Sequence, residues 1–236
     1  MEKEVLISIK NLCKEYEIKK EKKIIYDDFS LDIYKGDRLG FLGKNGVGKT
    51  TLINMIIGKT SYQKGAITFS ECITDKMRDI GYLPQEFKFP SIFSVKNILK
   101  IIKSDLKRNQ NFDNDFFELI CNKIEINSLL NKRYNKLSGG EKQKINLVSV
   151  LLYNPKILIL DEFSSNIDIE TSFTIRKILK KINSTLIVIS HNAKEISEIC
   201  NRLVFLKNGK IFNEIKNGKS ISENSIKKVF KKMEEQ

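Results

Sequence analysis

Gly43-Lys44-Asn45-Gly46-Val47-Gly48-Lys49-Thr50, followed by Thr51, is the stretch on which the reading of this 236-residue chain turns. It matches G-x-x-x-x-G-K-[ST] in full. Its flanks match as well. Arg38-Leu39-Gly40-Phe41-Leu42 is a short apolar run of strand character, and Leu52, Ile53, Met55, Ile56 and Ile57 follow at helical spacing until Gly58. Strand, glycine loop and helix together turn backbone N–H groups and a helix N-terminus toward a polyphosphate. In such a loop Lys49 reaches the β- and γ-phosphates and the Thr50 hydroxyl ligates Mg²⁺.

Composition bounds the rest. A hydrophobic content of 41% is ample for a buried core in one large domain or two small ones. No apolar run approaches the ~20 residues needed to cross a bilayer. Met1-Glu2-Lys3-Glu4 alternates charge and lacks the basic-then-apolar plan of a secretory leader, so a soluble cytoplasmic protein is expected. Cys13, Cys72, Cys121 and Cys200 are scattered without C-x-x-C spacing, which suggests neither a zinc site nor a disulfide framework. The net charge of +13 has two readings: an anionic partner such as nucleic acid or a membrane face, or lysine usage that follows A/T-rich codons. The lysines are dispersed and not interleaved with aromatics, which favours the second, and no nucleic-acid partner is expected.

Along the chain, residues 5–11 alternate Val5, Ile7 and Ile9 against Leu6, Ser8 and Lys10, as a strand does; a charged turn spans 19–23, and strand character resumes over 24–33. Tyr16 fits either a flat platform for an adenine base or an ordinary edge-strand tyrosine. Short strands are expected over 65–69 and 79–85, the latter leading through Pro84 to Gln85, an amide placed to enter a site or simply a surface polar residue. Ser94 reads as an N-cap for a helix whose face carries Val95, Ile98, Leu99, Ile102 and Leu106. After a polar loop over 109–115, Phe116, Phe117, Leu119, Ile120, Ile124 and Ile126 resume helical packing. Leu137-Ser138-Gly139-Gly140-Glu141 opens another helix; it is a second anion cradle or a plain capped start. Ile157-Leu158-Ile159-Leu160-Asp161-Glu162 has the continuous apolar run of a central parallel strand, ending in two acids where such sheets gather their active sites. There Asp161 is placed to hold Mg²⁺ and Glu162 to orient a water. A helix over 168–182 and a buried strand over 185–190 end at His191, the only histidine, and a hairpin turns at Asn208-Gly209.

In this order the motifs resemble the ATP-binding subunits of ABC transporters over nearly the whole chain. Gly43–Thr50 is similar to the family's Walker A, Gln85 to its Q-loop glutamine, Leu137–Glu141 to its signature and Asp161–Glu162 to Walker B with the catalytic glutamate. Residues 164–168 resemble the D-loop, His191 the switch histidine and Tyr16 the adenine-stacking aromatic. Phe163 stands where proline is usual, Glu141 where glutamine is common and Lys144 where arginine is common; none of these removes a catalytic group, although Phe163 bears on the stiffness of its loop.

The resemblance implies an α/β fold: a P-loop NTPase core with a mostly parallel sheet, an N-terminal antiparallel β subdomain and a helical subdomain inserted at about 89–152, with a C-terminal amphipathic helix at about 222–235, all within one domain over 1–236. It implies ATP and Mg²⁺ as ligands. Tyr16, residues 43–51 (Lys44, Asn45 and Val47 included) and Ser138, Gly139 and Gly140 would hold nucleotide. Thr50, Gln85 and Asp161 would hold the metal, and Lys49, Gln85, Glu162 and His191 would serve hydrolysis. Two subunits, alike or different, sandwich two ATP molecules head to tail. Separate membrane-spanning permease subunits are the expected partners on the cytoplasmic face, docking on the apolar loop 85–95. The alternative, a soluble member of the family acting on an iron–sulfur scaffold or nucleic-acid machinery, is disfavoured by the single-copy motif layout and the compact helical insertion.

Overall fold

The computed structural model describes residues 3–18, 21–109, 111–216 and 221–235. In chain order it contains β1 (Val5–Ile18), β2 (Glu21–Tyr34), β3 (Arg38–Leu42), α1 (Lys49–Ile56), β4 (Lys64–Phe69), α2 (Lys76–Asp79), β5 (Ile80–Leu83), α3 (Val95–Arg108), α4 (Asn114–Lys123), α5 (Gly139–Leu151), β6 (Ile157–Asp161), α6 (Ile169–Lys181), β7 (Thr185–Ile189), α7 (Ala193–Ile199), β8 (Arg202–Lys207), β9 (Lys210–Ile215) and α8 (Glu223–Glu235). The chain divides into two compact units: 1–80 with 156–159 and 185–236, and 81–155 with 160–184.

In the first unit β7, β3, β8 and β9 lie side by side in that order, as part of a six-stranded sheet. β3 pairs parallel with both β7 and β8, and β9 returns antiparallel to β8. Leu39, Phe41, Leu186, Ile187, Val188, Leu203 and Val204 are all fully buried, which explains why these strands read as unbroken apolar runs and not as alternations. Each such side chain contributes about 1.5–3 kcal/mol of burial. Asn208 (φ 48°) and Gly209 (φ 72°) give the β8–β9 turn the double left-handed geometry of a type I′ hairpin. Helix α8 buries Ile226, Val229 and Met233, and its Phe230 ring meets Phe205 at 5.8 Å.

A second, three-stranded antiparallel sheet has the order β2-β1-β4. Here the alternation misreads two points. β1 does not end at Asn11 but runs to Ile18, and Leu6, assigned to the polar face, is buried. The cause is irregular pairing: the register slips between Val5 and Ile7 and again between Ile9 and Leu12, where Asn11 adopts φ 49° opposite a strand with its own left-handed residue, Asp28. A bulge inserts one residue and shifts the phase of every side chain beyond it. The expected turn over 19–23 contains Lys19 and Lys20, which lie outside the described residues; β2 already begins at Glu21.

In the second unit α3 buries Val95, Ile98, Leu99, Ile102 and Leu106, with Ser94 Oγ accepting the Asn97 N–H at 3.2 Å. α4 starts earlier than the polar stretch suggested, because Asp113 caps it through the Phe116 N–H at 3.0 Å. Its buried stripe is Phe117, Ile120, Cys121 and Ile124, a strict i, i+3, i+4, i+7 series; Leu119 falls off that stripe and is 48% exposed. The strand expected over 79–85 is shorter, since Asp79 closes the one-turn α2 and accepts the Thr74 and Asp75 N–H groups at 2.9 and 3.1 Å. Among the described residues no helix is long and apolar enough to cross a membrane.

Candidate nucleotide-binding site

In the first unit the chain leaves β3, turns through residues 43–48 and enters α1. Gly48 is the N-cap, in the left-handed region at φ 112°, and no side chain caps the helix. A Cβ there would fall 2.7 Å from Ile25 Cγ2, so both dihedral and space demand glycine. Lys49 Nζ donates to the carbonyls of Gly43 (2.7 Å) and Lys44 (3.1 Å), which holds its ammonium across the mouth of the loop. Lys49 is buried, whereas Lys44, Asn45, Gly46 and Thr50 are exposed and Val47 and Thr51 half-buried. The loop thus presents a cation, a hydroxyl and a helix N-terminus, the combination that binds phosphate chains.

Tyr16 lies on β1 beyond that strand's last pair with β4, Cys13↔Lys64, where the Gln63 side chain takes over by accepting the Glu15 N–H (3.1 Å) and donating to the Glu15 carbonyl (3.2 Å). The Lys14 ammonium sits 4.4 Å from its ring centroid, on the same face of the strand. His191 is exposed immediately after β7 and Ser190, whose hydroxyl accepts the Asn192 N–H; Asn192 in turn caps α7.

The second unit holds the remaining residues. Gln85 is exposed after β5. The loop that follows is neither wholly open nor wholly packed: Ile92 is 75% and Phe87 39% exposed, while Phe89 stacks edge-on against Phe87 and Tyr134. The Phe87 carbonyl is held from below by Tyr134 OH (3.2 Å) and Asn146 Nδ2 (3.0 Å). At α5 a full capping box forms: the Glu141 N–H donates to Ser138 Oγ (3.2 Å) and the Ser138 N–H to Glu141 Oε2 (2.8 Å). Lys132 pairs with the same carboxylate at 2.7 Å and, with the Ser138 amide, holds its pKa below the usual range.

Asp161 is buried at the end of β6, and Glu162 follows in the left-handed conformation at φ 52°. Burial first, then the Asp161 charge, pushes the nearby Tyr82 phenol up to about 12. Phe163 is fully buried, and its carbonyl accepts Gln143 Nε2 at 3.0 Å. Lys144 reaches Asp168 at 3.4 Å, and a Cβ on Gly140 would strike the Asn166 carbonyl oxygen at 2.5 Å. The first turns of α5 are therefore fastened to the loop that follows Glu162. Gln143 and Tyr26, which donates to the phosphate loop, were invisible in the motif pattern; their partners lie 20 and 22 residues away, with no local signal.

Comparison with known proteins gives the family and the fold. Residues 26–165 match the family model described as ABC transporter. The chain is 34% identical over 233 residues to the methionine import ATP-binding protein MetN 1 of Oceanobacillus iheyensis, covering 91% of this chain and 67% of that protein. It is 33% identical over 188 residues to a putative ABC transporter ATP-binding protein of Archaeoglobus fulgidus, covering 76% and 78%. The fold superposes on the structure of an ATP-binding subunit of an ABC transporter with a TM-score of 0.77 at 19% identity, covering 95% of this chain and 93% of that one. It also superposes on a dimeric bacterial ABC transporter cassette with a TM-score of 0.74 at 23% identity, covering 89% and 98%. The chain belongs to the ABC transporter family, as an ATP-binding and ATP-hydrolysing subunit.

Proposed function

We propose that this ATPase works as a head-to-tail dimer around two Mg-ATP, energising separate membrane-spanning subunits from the cytoplasmic face. The observation that carries the reading is the 43–50 loop, with Lys49 held across it and α1 opening without a side-chain cap. One such loop grips only one side of a nucleotide. The second glycine-bearing helix start, at Ser138–Gly140, supplies a further anion cradle, which in this reading serves the partner copy's ATP.

Each residue then has a role. Tyr16 stacks the base, Lys49 and the loop amides hold the phosphate chain, Glu162 takes a proton from the attacking water, and His191 contacts the γ-phosphate. The donors suited to Mg²⁺ are hard oxygens: the Thr50 hydroxyl, the Asp161 carboxylate and the Gln85 amide. Among the described residues no cluster of three or more His, Cys, Asp or Glu side chains forms a metal cage, which suits an ion carried mainly by substrate phosphates and water. When bound, Mg²⁺ offsets charge on the β- and γ-oxygens. The exposed Ile92 and Phe87 suit the loop after Gln85 to a permease contact.

Mixing two dead variants tests the shared site. Lys49→Ala spoils one half and Ser138→Arg the other, so each homodimer is inactive. A mixture should recover up to about a quarter of parental turnover, since half the dimers are mixed and each keeps one intact site. No recovery means that hydrolysis is completed within one subunit.

A further inference from the structure

Tyr26 belongs to none of the motifs, yet it reaches the phosphate loop from behind. It lies on β2, is 1% exposed, and its hydroxyl donates to the Gly48 carbonyl at 3.0 Å. That carbonyl also takes the first helical bond of α1, from the Leu52 N–H at 2.9 Å. Two donors from different directions fill both lone pairs and fix the plane of the peptide joining Gly48 to Lys49. The same peptide carries the Lys49 N–H, the amide that opens α1, so its plane sets where that N–H points. Burial pushes the Tyr26 phenol well above its ordinary pKa, so it remains a donor through the physiological range.

Packing holds the tyrosine in place. A Cβ on Gly48 would meet the Tyr26 hydroxyl at 3.1 Å as well as Ile25, so β2 presses directly on the loop. The Asn208-Gly209 turn also closes onto β2, and a Cβ on Gly209 would collide with the Ile25 carbonyl. The Phe29 ring, 4.9 Å from that of Tyr26, supports it along the strand.

We propose that Tyr26 is a positioning residue for the phosphate loop: acting through the Gly48–Lys49 peptide, it sets the grip on the phosphate chain without touching nucleotide. This rests on the reading of residues 43–50 as the nucleotide site. The test is Tyr26→Phe in the full chain, which keeps the ring and removes only the donor; Leu52 still satisfies the Gly48 carbonyl. Affinities for ATP and for inorganic pyrophosphate, which engages the loop but not Tyr16, are measured with the melting temperature and the KM and kcat of hydrolysis. The expected result is about a five- to tenfold loss for both ligands, the size of one hydrogen bond. KM should rise to match, kcat at saturation should stay near parental, and melting should move by no more than about 4 °C. Parental affinity in Tyr26→Phe overturns the proposal. So does a binding loss that only follows a large fall in melting temperature, which makes Tyr26 a core residue and nothing more. If Tyr26→Phe does not fold, Phe29→Leu, which merely frees the ring, should raise KM for ATP in the same direction; unchanged KM there is equally fatal. If the parent protein binds neither ATP nor pyrophosphate, the nucleotide site itself is misassigned, an outcome separable from the others.

Discussion

Two helices of this protein begin at glycines, and they are built in opposite ways. α1 opens at Gly48, left-handed and without a side-chain cap, its geometry imposed by neighbours in β2. α5 opens at Ser138 with a complete capping box, and Lys132 anchors the Glu141 that closes it. The first start is held from outside, by Tyr26 and Ile25 pressing on one carbonyl and one missing side chain. The second is finished from within four residues of its own sequence. The box engages the amides of Ser138 and Glu141 and leaves those of Gly139 and Gly140 outside it. Two glycine-marked helix starts thus differ in where the cap comes from: packing by β2 for α1, a local hydrogen-bonded box for α5.

The largest effect expected separates holding phosphate from breaking it. Glu162→Gln leaves both helix starts intact but removes the carboxylate proposed to act as base, so turnover should fall by about 10²–10⁴-fold. ATP affinity should hold, and an ATP-bound dimer should accumulate on size-exclusion chromatography. Parental turnover would take Glu162 out of this role.

A smaller effect bears on the comparison itself. Gly48→Ala places a β-carbon at φ 112° and 2.7 Å from Ile25, a strain of about 1–3 kcal/mol, and should weaken ATP binding by the single subunit about 5- to 150-fold. Gly140→Ala meets backbone instead, the Asn166 carbonyl oxygen, and should cost stability and turnover while ATP binding by the single subunit survives. Equilibrium binding beside steady-state turnover reads both. If the two variants lose binding equally, the two glycine starts are not functionally distinct.

The smallest effect is electrostatic. Asp168, the N-cap of α6, is held down to about 2, first by the Thr171 N–H, then by the Thr171 hydroxyl and by Lys144. A depressed carboxylate pKa stabilises the fold above the unfolded value of about 3.9, and that contribution is lost as pH falls toward 2. Asp168 is largely exposed, so solvent screening keeps the term small. Asp168→Asn, which still caps, should remove about one protonation step from the acid limb of melting temperature against pH. An identical limb in the variant would show that the cap does not titrate with folding.

The five buried residues of α3 follow from helical period and a serine cap, and the β8–β9 turn follows from Asn-Gly, because both are local rules. Leu119 was misplaced because a loose apolar cluster fits more than one helical stripe, and only the packed partner selects Phe117, Ile120 and Cys121. The length of β1 was misjudged because bulges at Asn11 and Asp28 break the two-residue period on which the reading relied. Phe163 stood out only as a departure in a loop. Its burial and its bond from Gln143 make it the link between α5 and the chain leaving Glu162.

By itself the sequence determined where the local motifs lie: the spacing of Gly43, Gly48, Lys49 and Thr50, the Ser138–Glu141 box, and the two acids at the close of the β6 run. Those features act over four to eight contiguous residues, so their meaning survives without knowledge of the rest. Tertiary structure alone decided what braces them. Tyr26 finds the Gly48 carbonyl and Gln143 the Phe163 carbonyl only after strands and helices have packed. A hydrogen bond between residues some twenty positions apart leaves no periodic trace, because its geometry depends on the register and crossing of whole elements.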